Sequence, residues 1–382
     1  MYSTNFKKIT QFTGKHYVKI FWIILTAGFF LRFYITYFTG LPWFSVDSYS
    51  YLNMADAILD GEPYSLFPNG FPLLIAMMKI LLPETWMPLS LVSFNIIVST
   101  AAIGLGMQIS KKITGNTFAA CLTGLIIAVY PNQLNYVRQI LTEAPTTFFL
   151  VLSAFFFLKR KYFISGIFLI TTVLFRSSFL PLVPLMVICF YFFVKNENIR
   201  ISGVKYFGGM AIAYTCYAIL LLLGVVKSSS NLSQNLLISI NSYSQHIDFS
   251  MNGFTAAQKE HAIKTYFMFI LDHPAEYLKQ RILSFNELWG WPSTGEPPRT
   301  LVTKLMISLR IPILVLAMIG FLKNLRQIKL WVPFLPILVI TIIHTLFFST
   351  TRFTYVIEPF AIILAVIGFL ELFKIPINRE KL

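Results

Sequence analysis

Three acidic residues stand beside long apolar runs, where a carboxylate is unusual and therefore indicates chemistry. Asp47 follows the first apolar run, Glu143 lies in RQILTEAP before a later run, and Glu358 lies in TRFTYVIEP near the last one. A carboxylate near the end of a membrane-spanning helix costs free energy unless it faces water or a partner. The three acids therefore predict an outward-facing polar cavity that contains a general base.

Basic residues at the same depth supply matching positive charge. Arg138 precedes Glu143, Arg176 ends an apolar run, and Arg352 precedes the last run. Guanidinium groups donate strong hydrogen bonds to phosphate oxygens, so these arginines are candidate ligands of a phosphate-bearing substrate, with Lys79 as a fourth candidate. Plainer roles remain open. Arg176 and Arg352, and equally Lys79, could only anchor the membrane interface, and Glu143 could only cap its helix or pair with Arg138.

Residues 46–72, VDSYSYLNMADAILDGEPYSLFPNGFP, predict an amphipathic helix that lies on a bilayer, followed by a folded loop. Asp47 is expected to cap the start of this helix and Gly61 to end it. Tyr51 stands on the apolar face of the helix and is a further candidate for substrate binding. Capping alone is the plainer alternative to a catalytic role for Asp47.

Composition places the chain in a membrane. Its mean hydropathy is +0.68, and 56% of the residues are hydrophobic while 12% are charged. A soluble chain carries about twice that charged fraction. Cys121, Cys189 and Cys216 all lie in apolar runs, with neither a disulfide framework nor a metal-binding spacing. We therefore expect an all-α polytopic membrane protein without a structural metal.

Ten apolar runs are long enough to cross a bilayer with some tilt or thinning. They lie at about 18–38, 89–109, 116–131, 143–158, 162–177, 178–194, 204–226, 302–322, 330–349 and 354–373. The run 71–82 is shorter and is expected to form a helix against the membrane. Leaving it out of the count places most Lys and Arg residues in short loops on one side, as the positive-inside rule requires. The net charge of +15 then marks a cytoplasmic membrane surface and no nucleic-acid partner.

This topology puts both termini in the cytoplasm of a multi-pass plasma or inner-membrane protein. It predicts a transmembrane core at 1–226 whose first outer loop, residues 39–88, is catalytic. An extracytoplasmic loop with a juxtamembrane helix follows at 227–301, and the last three spans occupy 302–382. Residues 254–288 are expected to be helical, with a break at His273–Pro274.

Four stretches, in this order, resemble the GT-C superfamily of glycosyltransferases. The first is DSYSYLNMADAILDGEPYSLFPNGFPLLIAMMKIL, which contains Asp47 and is similar to the first outer loop of that superfamily. YPNQLNYVRQILTEAPTTFFLVLSAFFFLKRK has Glu143 where an acidic residue enters a span, and GIFLITTVLFRSSFLPLVPL has Arg176 where an arginine is common. DHPAEYLKQRILSFNELW resembles a juxtamembrane helix. Within the superfamily, these stretches most resemble those of the dolichyl-phosphate-mannose protein mannosyltransferases and of the lipid A aminoarabinose transferase.

The resemblance implies a GT-C-like bundle of about ten transmembrane helices that uses a polyprenyl-phosphate sugar donor at the outer leaflet. Asp47 would be the general base toward an acceptor hydroxyl on a glycan, lipid or protein. The sugar would be transferred with inversion, and the arginines would stabilise the leaving phosphate. Glu143 would orient the acceptor, hold Arg138 or bind an ion.

Two departures from the family pattern bear on a metal. Many members carry a second acid directly after the loop-one aspartate, where this chain has Ser48. Some members hold a metal between acids of the outer loops, but this chain has LFPNGFP where such an acid is expected. The residues therefore do not support a divalent metal or any other cofactor.

Two other functions stay open at this point. A surface-polysaccharide polymerase or ligase would also combine about ten spans with one long outer loop. That loop would carry essential residues, for which the candidates are Arg281, Arg299, His246 and His273. A lipid or sugar transporter or flippase would place ionisable groups or broken helices near the midplane, often in two related halves. The charges of this chain collect at one face instead.

Overall fold

In a computed structural model of the chain, all regular secondary structure of the described residues is helical. The described ranges are 2–40, 43–194, 198–228, 232–241, 255–289, 301–347 and 349–377. Within them the chain forms seventeen α-helices, four 3₁₀ helices and no strand. The expectation of an all-α architecture is confirmed for these residues.

The helices follow one another with short connections through most of the chain. The first nine are α1 (Tyr2–Phe38), α2 (Val46–Leu59), α3 (Gly70–Leu81), α4 (Met87–Thr114), α5 (Thr117–Val129), α6 (Pro131–Val137), α7 (Glu143–Leu158), α8 (Tyr162–Phe175) and α9 (Leu182–Phe193). The remaining eight are α10 (Ile199–Leu222), α11 (Leu232–Asn241), α12 (Ala256–Glu260), α13 (Ala262–Asp272), α14 (Pro274–Trp289), α15 (Leu301–Leu322), α16 (Trp331–Leu346) and α17 (Glu358–Leu372). The 3₁₀ helices are Glu84–Trp86, Ser177–Phe179, Ile328–Leu330 and Thr351–Val356.

Several of these helices suit a bilayer. Four described stretches are long and apolar enough to cross one: Lys8–Phe38, Glu84–Thr114, Ile199–Leu222 and Ile328–Leu346. Helices α5 and α6, bent by 50° at their junction, form a fifth if they are taken as one broken span, and five shorter apolar helices accompany them. Each of the ten predicted spans overlaps a helix. The number of crossings and the side on which each loop lies stay predictions.

Helix α2 begins differently from the sequence-based expectation. Ser45 occupies the N-cap, and its amide donates a hydrogen bond to Ser48 Oγ at 2.9 Å. Asp47 lies in the first turn, so its prediction as the N-cap is wrong, because the serine pair already closes this end of the helix. Gly61 ends the helix as predicted, with a φ of 76° that is unstrained only for glycine. The Asp47 carboxylate is consequently available for a tertiary contact.

Helices α2 and α3 form a compact unit on the bundle. Tyr51 and Ala55 of α2 are buried against Phe71 and Ile75 of α3, and the rings of Tyr51 and Phe71 lie 5.2 Å apart. The run 71–82 is therefore a short helix, as predicted. The apolar face of α2 packs against α3, and this contact fixes the position of α2, because burial of apolar surface is the main driving force for such packing.

The core helices cross closely at glycines. Gly209 of α10 lies against the backbone of Phe163 in α8, and Gly368 of α17 lies against the backbone of Leu316 in α15. A Cβ at either position would collide with a backbone carbonyl. Close approach at small residues is a common way for helices to pack inside a membrane.

A buried arginine stabilises the break between α5 and α6. Pro131 has no amide proton, so the carbonyl of Ile127 loses its helical partner. Arg32 of α1 is fully buried and donates to the carbonyls of Ile127 and Ala128 at 3.3 and 3.1 Å, and to Ser99 Oγ at 2.9 Å. This contact ties α1 and α4 to the bend that leads into α6.

The long loop after α10 is helical where it is described. Helices α12, α13 and α14 confirm the predicted helical stretch and its break at His273–Pro274, and a second break occurs at His261. Leu271 and Ile282 are among the apolar residues that α13 and α14 leave exposed, as expected for helices lying on a membrane. The domain boundaries at 227 and 301 stay predictions, and residues 229–231, 242–254 and 290–300 lie outside the described residues.

Candidate active site

Arg352 joins the two acids on which the sequence analysis depends. It lies in the 3₁₀ segment Thr351–Val356 that precedes α17. Its Nη2 is 2.7 Å from Asp47 Oδ2, at the start of α2. Its Nε is 2.9 Å from Glu143 Oε1, a close ionic contact rather than an aligned hydrogen bond. One guanidinium thus bridges a carboxylate of the predicted first outer loop and a carboxylate at the start of α7.

Glu143 is the buried centre of this cluster. It is the first residue of α7, its side chain is 1% exposed, and Arg176 Nη1 donates to the same Oε1 at 3.2 Å. Its other oxygen, Oε2, is buried and has no hydrogen-bond partner among the described residues. The alternative that Glu143 pairs only with Arg138 is wrong, because Arg176 and Arg352 hold it.

The charges of the cluster balance. Asp47 and Glu143 contribute two negative charges, and Arg176 and Arg352 contribute two positive ones. Although burial disfavours its charge, the carboxylates of Glu143 and Asp47 raise the pKa of Arg352 above its usual value. The guanidinium therefore stays protonated at every physiological pH.

Aromatic rings support the two arginines. Phe353 lies under the guanidinium of Arg176 at 4.6 Å and beside that of Arg352 at 5.6 Å, both within the range of cation–π attraction. His344 of α16 also stacks on this ring, with centroids 4.1 Å apart. The sequence analysis did not single out Phe353, although its position next to Arg352 was a usable signal.

A cavity of about 480 Å³ opens beside the cluster. Arg176 and Arg352 line it together with Tyr51, and its other lining residues are both polar and apolar. The polar lining is Thr142, Ser177, Ser178, Asn235 and His344, and the apolar lining is Phe67, Pro68, Phe175, Leu180, Pro181, Ile343, Phe347 and Phe353. A space with two cations and an apolar wall suits a phosphate attached to a hydrocarbon chain.

Tyr51 contributes a neutral hydroxyl to this cavity. Burial, followed by the carboxylates of Glu143 and Asp47, raises the pKa of Tyr51 above its usual value. The hydroxyl therefore stays protonated and can donate a hydrogen bond to a bound anion.

Two of the predicted phosphate ligands are not among the residues that line this cavity. Lys79 of α3 pairs with Asp56 of α2. Arg138, at the end of α6, donates to Asn135 Oδ1 at 3.1 Å. The structure therefore brings together Asp47, Glu143, Arg176, Arg352 and Tyr51, and places Lys79 and Arg138 elsewhere.

A second buried network is centred on Glu358 and contacts the segment that carries Arg352. Asn132 and Gln133 of α6 donate to the Glu358 carboxylate at 2.5 and 2.9 Å, and Thr354 Oγ1 donates to it at 3.0 Å. This carboxylate is 3% exposed and all of these partners are buried. Glu358 therefore fastens the 3₁₀ segment to α6 and is not a residue of the cavity.

Arg310 completes that network from α15. Its Nη2 donates to the carbonyl of Thr351 at 2.7 Å and to Thr354 Oγ1 at 2.8 Å, and it lies 3.8 Å from Glu358 Oε1. The sequence analysis missed Arg310, although an arginine inside an apolar span is a recognisable sign of a buried polar partner. Arg310 and Glu358 fix the backbone on both sides of Arg352.

The acids of the site do not fit a metal ion. Among the described residues, no three His, Cys, Asp or Glu side chains come together as a metal-binding group. The two acids that do approach each other, Asp47 and Glu143, share the guanidinium of Arg352, which already supplies their positive charge.

The fold is similar to that of solved enzymes, although neither a model of a protein family nor a curated protein matches the chain. The archaeal oligosaccharyltransferase AglB from Archaeoglobus fulgidus, solved with an inhibitory peptide and a dolichol-phosphate, superposes with a TM-score of 0.59 at 13% identity. That match covers 95% of this chain and 51% of the AglB chain.

Two further structures of the Archaeoglobus fulgidus oligosaccharyltransferase give the same result. The apo form and the form tethered to an acceptor peptide containing the NVT sequon both match with a TM-score of 0.59 at 14% identity. They cover 94% and 95% of this chain, which spans about half the length of each of them. This likeness shows the fold alone: the chain shares the fold of the archaeal oligosaccharyltransferase, a GT-C glycosyltransferase, as the resemblance in sequence implied.

Proposed function

We propose that this protein is a glycosyltransferase that moves a hexosyl or pentosyl group from a polyprenyl-phosphate donor to an acceptor hydroxyl. The reaction takes place at the outer face of the membrane and inverts the anomeric carbon. The observation that carries the proposal is the convergence of Asp47 with Arg352 and Arg176 beside a half-apolar cavity in a GT-C fold.

The arrangement supplies a base for the attacking hydroxyl and cations for the leaving phosphate. Asp47 accepts the proton of the acceptor hydroxyl as its oxygen attacks the anomeric carbon in line. The bond from that carbon to the phosphate oxygen breaks, and the electron pair leaves with the polyprenyl phosphate. Arg352 and Arg176 stabilise the growing charge, and each such donor contributes about 2–4 kcal/mol to lowering the barrier when it acts in the transition state.

Glu143 has a positioning role in this proposal. Its Oε1 holds both arginines in place from a side chain that is 1% exposed. The dolichol-phosphate found with one of the similar structures supports a polyprenyl phosphate as the carrier. The acceptor peptide tethered to another of the similar structures supports a protein or glycan acceptor in general, and a glycan, lipid or protein hydroxyl is the class proposed here.

Accumulation of the donor tests this function. Deleting the gene is expected to cause one polyprenyl-phosphate sugar to accumulate, which mass spectrometry of extracted lipids identifies. Asp47→Asn is expected to reproduce the accumulation with normal expression and membrane insertion, because the amide cannot accept the proton. Asp60→Asn makes the same change at an exposed position of the same loop and is expected to restore transfer fully. Near-normal transfer by Asp47→Asn would remove Asp47 from the role of base.

The polymerase or ligase alternative receives less support from the described residues. Arg281, one of its candidate catalytic residues, donates to the carbonyls of Thr345 and Phe347 and so closes the end of α16. His273 ends α13 and packs against Phe269. The other two candidates, His246 and Arg299, lie outside the described residues.

A further inference from the structure

The two carboxylates that Arg352 contacts differ in how firmly they are held. Glu143 is 1% exposed and is also bonded to Arg176, so its contact with Arg352 is enclosed by protein. Asp47 is 29% exposed and uses one oxygen, Oδ2, at the Nη2 end of the guanidinium. An exposed ion pair contributes little free energy and is readily exchanged for another partner. The Asp47 contact is therefore the replaceable one.

Arg352, and not Asp47, is among the residues that line the cavity. A group that binds in the cavity can therefore contact Arg352, which in turn contacts Asp47.

A phosphate in the cavity would compete with Asp47 for the same cation. The planar guanidinium binds phosphate oxygens through two parallel hydrogen bonds, which is a better match than the single contact with Oδ2. Because Glu143 and Arg176 keep the Nε side in place, the Nη end is the part that can change partner. A phosphate beside Arg352 would also repel the Asp47 carboxylate, so the two anions oppose each other at this position.

We propose that Arg352 keeps Asp47 engaged until the donor arrives, and that the donor phosphate releases the carboxylate by taking its place on the guanidinium. This inference rests on the proposed function. Once released, Oδ2 accepts the proton of the acceptor hydroxyl, while the new bond forms at the anomeric carbon and the phosphate leaves with the electron pair. Arg352 thus makes release of the base conditional on a bound donor.

A double-mutant cycle tests the exchange through the binding of a short-chain polyprenyl phosphate to the full chain in nanodiscs. Removing the competitor with Asp47→Asn is expected to tighten binding by about two- to fivefold, the equivalent of an exposed ion pair. Asp60→Asn, the matched control, is expected to leave the affinity unchanged. In an Arg352→Gln background, Asp47→Asn is expected to give a smaller gain in affinity, because the shared cation is gone and only the repulsion between the two anions is relieved.

The outcomes separate the two proposals. If wild-type protein does not bind the polyprenyl phosphate, the proposed function and this inference both fail. If it binds and Asp47→Asn has no effect, or has the same effect with and without Arg352, only the exchange is overturned. Inorganic phosphate is titrated in parallel, and an equal affinity for it would overturn the assignment to a lipid-borne donor.

A second variant keeps the test decisive if Arg352→Gln does not fold. Arg352→Lys retains the positive charge but cannot offer separate edges to the carboxylates and the phosphate. In this background, Asp47→Asn is expected to increase the affinity for the polyprenyl phosphate by less than it does in wild-type protein. An unchanged gain would mean that Asp47 acts on the phosphate through its charge alone, and the exchange would be overturned.

Discussion

Replacing Glu143 with glutamine tests whether this buried carboxylate organises the site. Glu143 Oε1 lies 3.2 Å from Arg176 Nη1 and 2.9 Å from Arg352 Nε, with only 1% of the side chain exposed. Glutamine preserves the shape and one acceptor oxygen but removes the negative charge. Asp47, which contacts Arg352, would then be the single remaining carboxylate of a cluster with two guanidinium groups.

The expected cost follows from the burial of these groups. Breaking a buried ion pair by neutralising one partner costs about 3–5 kcal/mol. Arg176 and Arg352 are themselves partly accessible to water, and the amide oxygen still accepts one hydrogen bond. We therefore expect Glu143→Gln to lower the free energy of unfolding by about 3 kcal/mol, the lower end of that range. Glu62→Gln, a change of the same type at an exposed position, should stay within about 0.5 kcal/mol.

Denaturant unfolding of the purified protein in mixed micelles measures both variants. A loss below about 1 kcal/mol for Glu143→Gln would refute the reasoning, since that is the size of an exposed pair. The double variant Glu143→Gln/Arg176→Met supplies an independent check. It removes one of the two guanidinium groups and so restores the balance of charge with Asp47, and it should therefore be more stable than Glu143→Gln alone.

Two further predictions concern the helix contacts that support the site. Gly209→Ala would drive a Cβ into the Phe163 carbonyl and is expected to cost about 1–3 kcal/mol, as overpacking does. Its neighbour Gly208 has room, so Gly208→Ala should be neutral or stabilising by up to about 1 kcal/mol from helix propensity. Arg32→Met leaves the carbonyls at the α5–α6 break unpaired and is expected to cost about 2–4 kcal/mol. The same unfolding assay measures all three, and equal effects at the two glycines would contradict the packing argument.

Much of the architecture could be predicted because apolar runs and breakers are local signals. The loop-one helix, the short helix at 70–81 and the break at His273–Pro274 all follow from residue types within a few positions of one another. Four residues lie near the ends of their apolar runs that were predicted to face outward, and this position indicated that they share one face of the membrane. They are Asp47, Glu143, Arg176 and Arg352. Their actual pairing depends on how four distant segments pack, and no local pattern contains that information.

The errors have the same origin. Ser45 and Asp47 are both good N-cap residues, and only the reciprocal bond with Ser48 decides between them. Lys79 could serve a phosphate or an acid, and the packing of α3 on α2 brings Asp56 to it. Arg310 was missed although it stands within an apolar run, where a charge nearly always has a buried partner.

The two polar networks have different physical roles, and the difference explains why both are present. The inner network around Glu358 and Arg310 is buried and closed, so it holds the backbone of Thr351–Val356 in one position. The outer cluster ends in the pair of Asp47 and Arg352, whose side chains are 29% and 26% exposed and whose contact we propose to be replaceable. A site that binds a phosphate and then releases it, as proposed here, needs cations fixed in position but not saturated by their own carboxylates. The rigid inner network provides the fixed position, and the replaceable contact with Asp47 keeps the cation available.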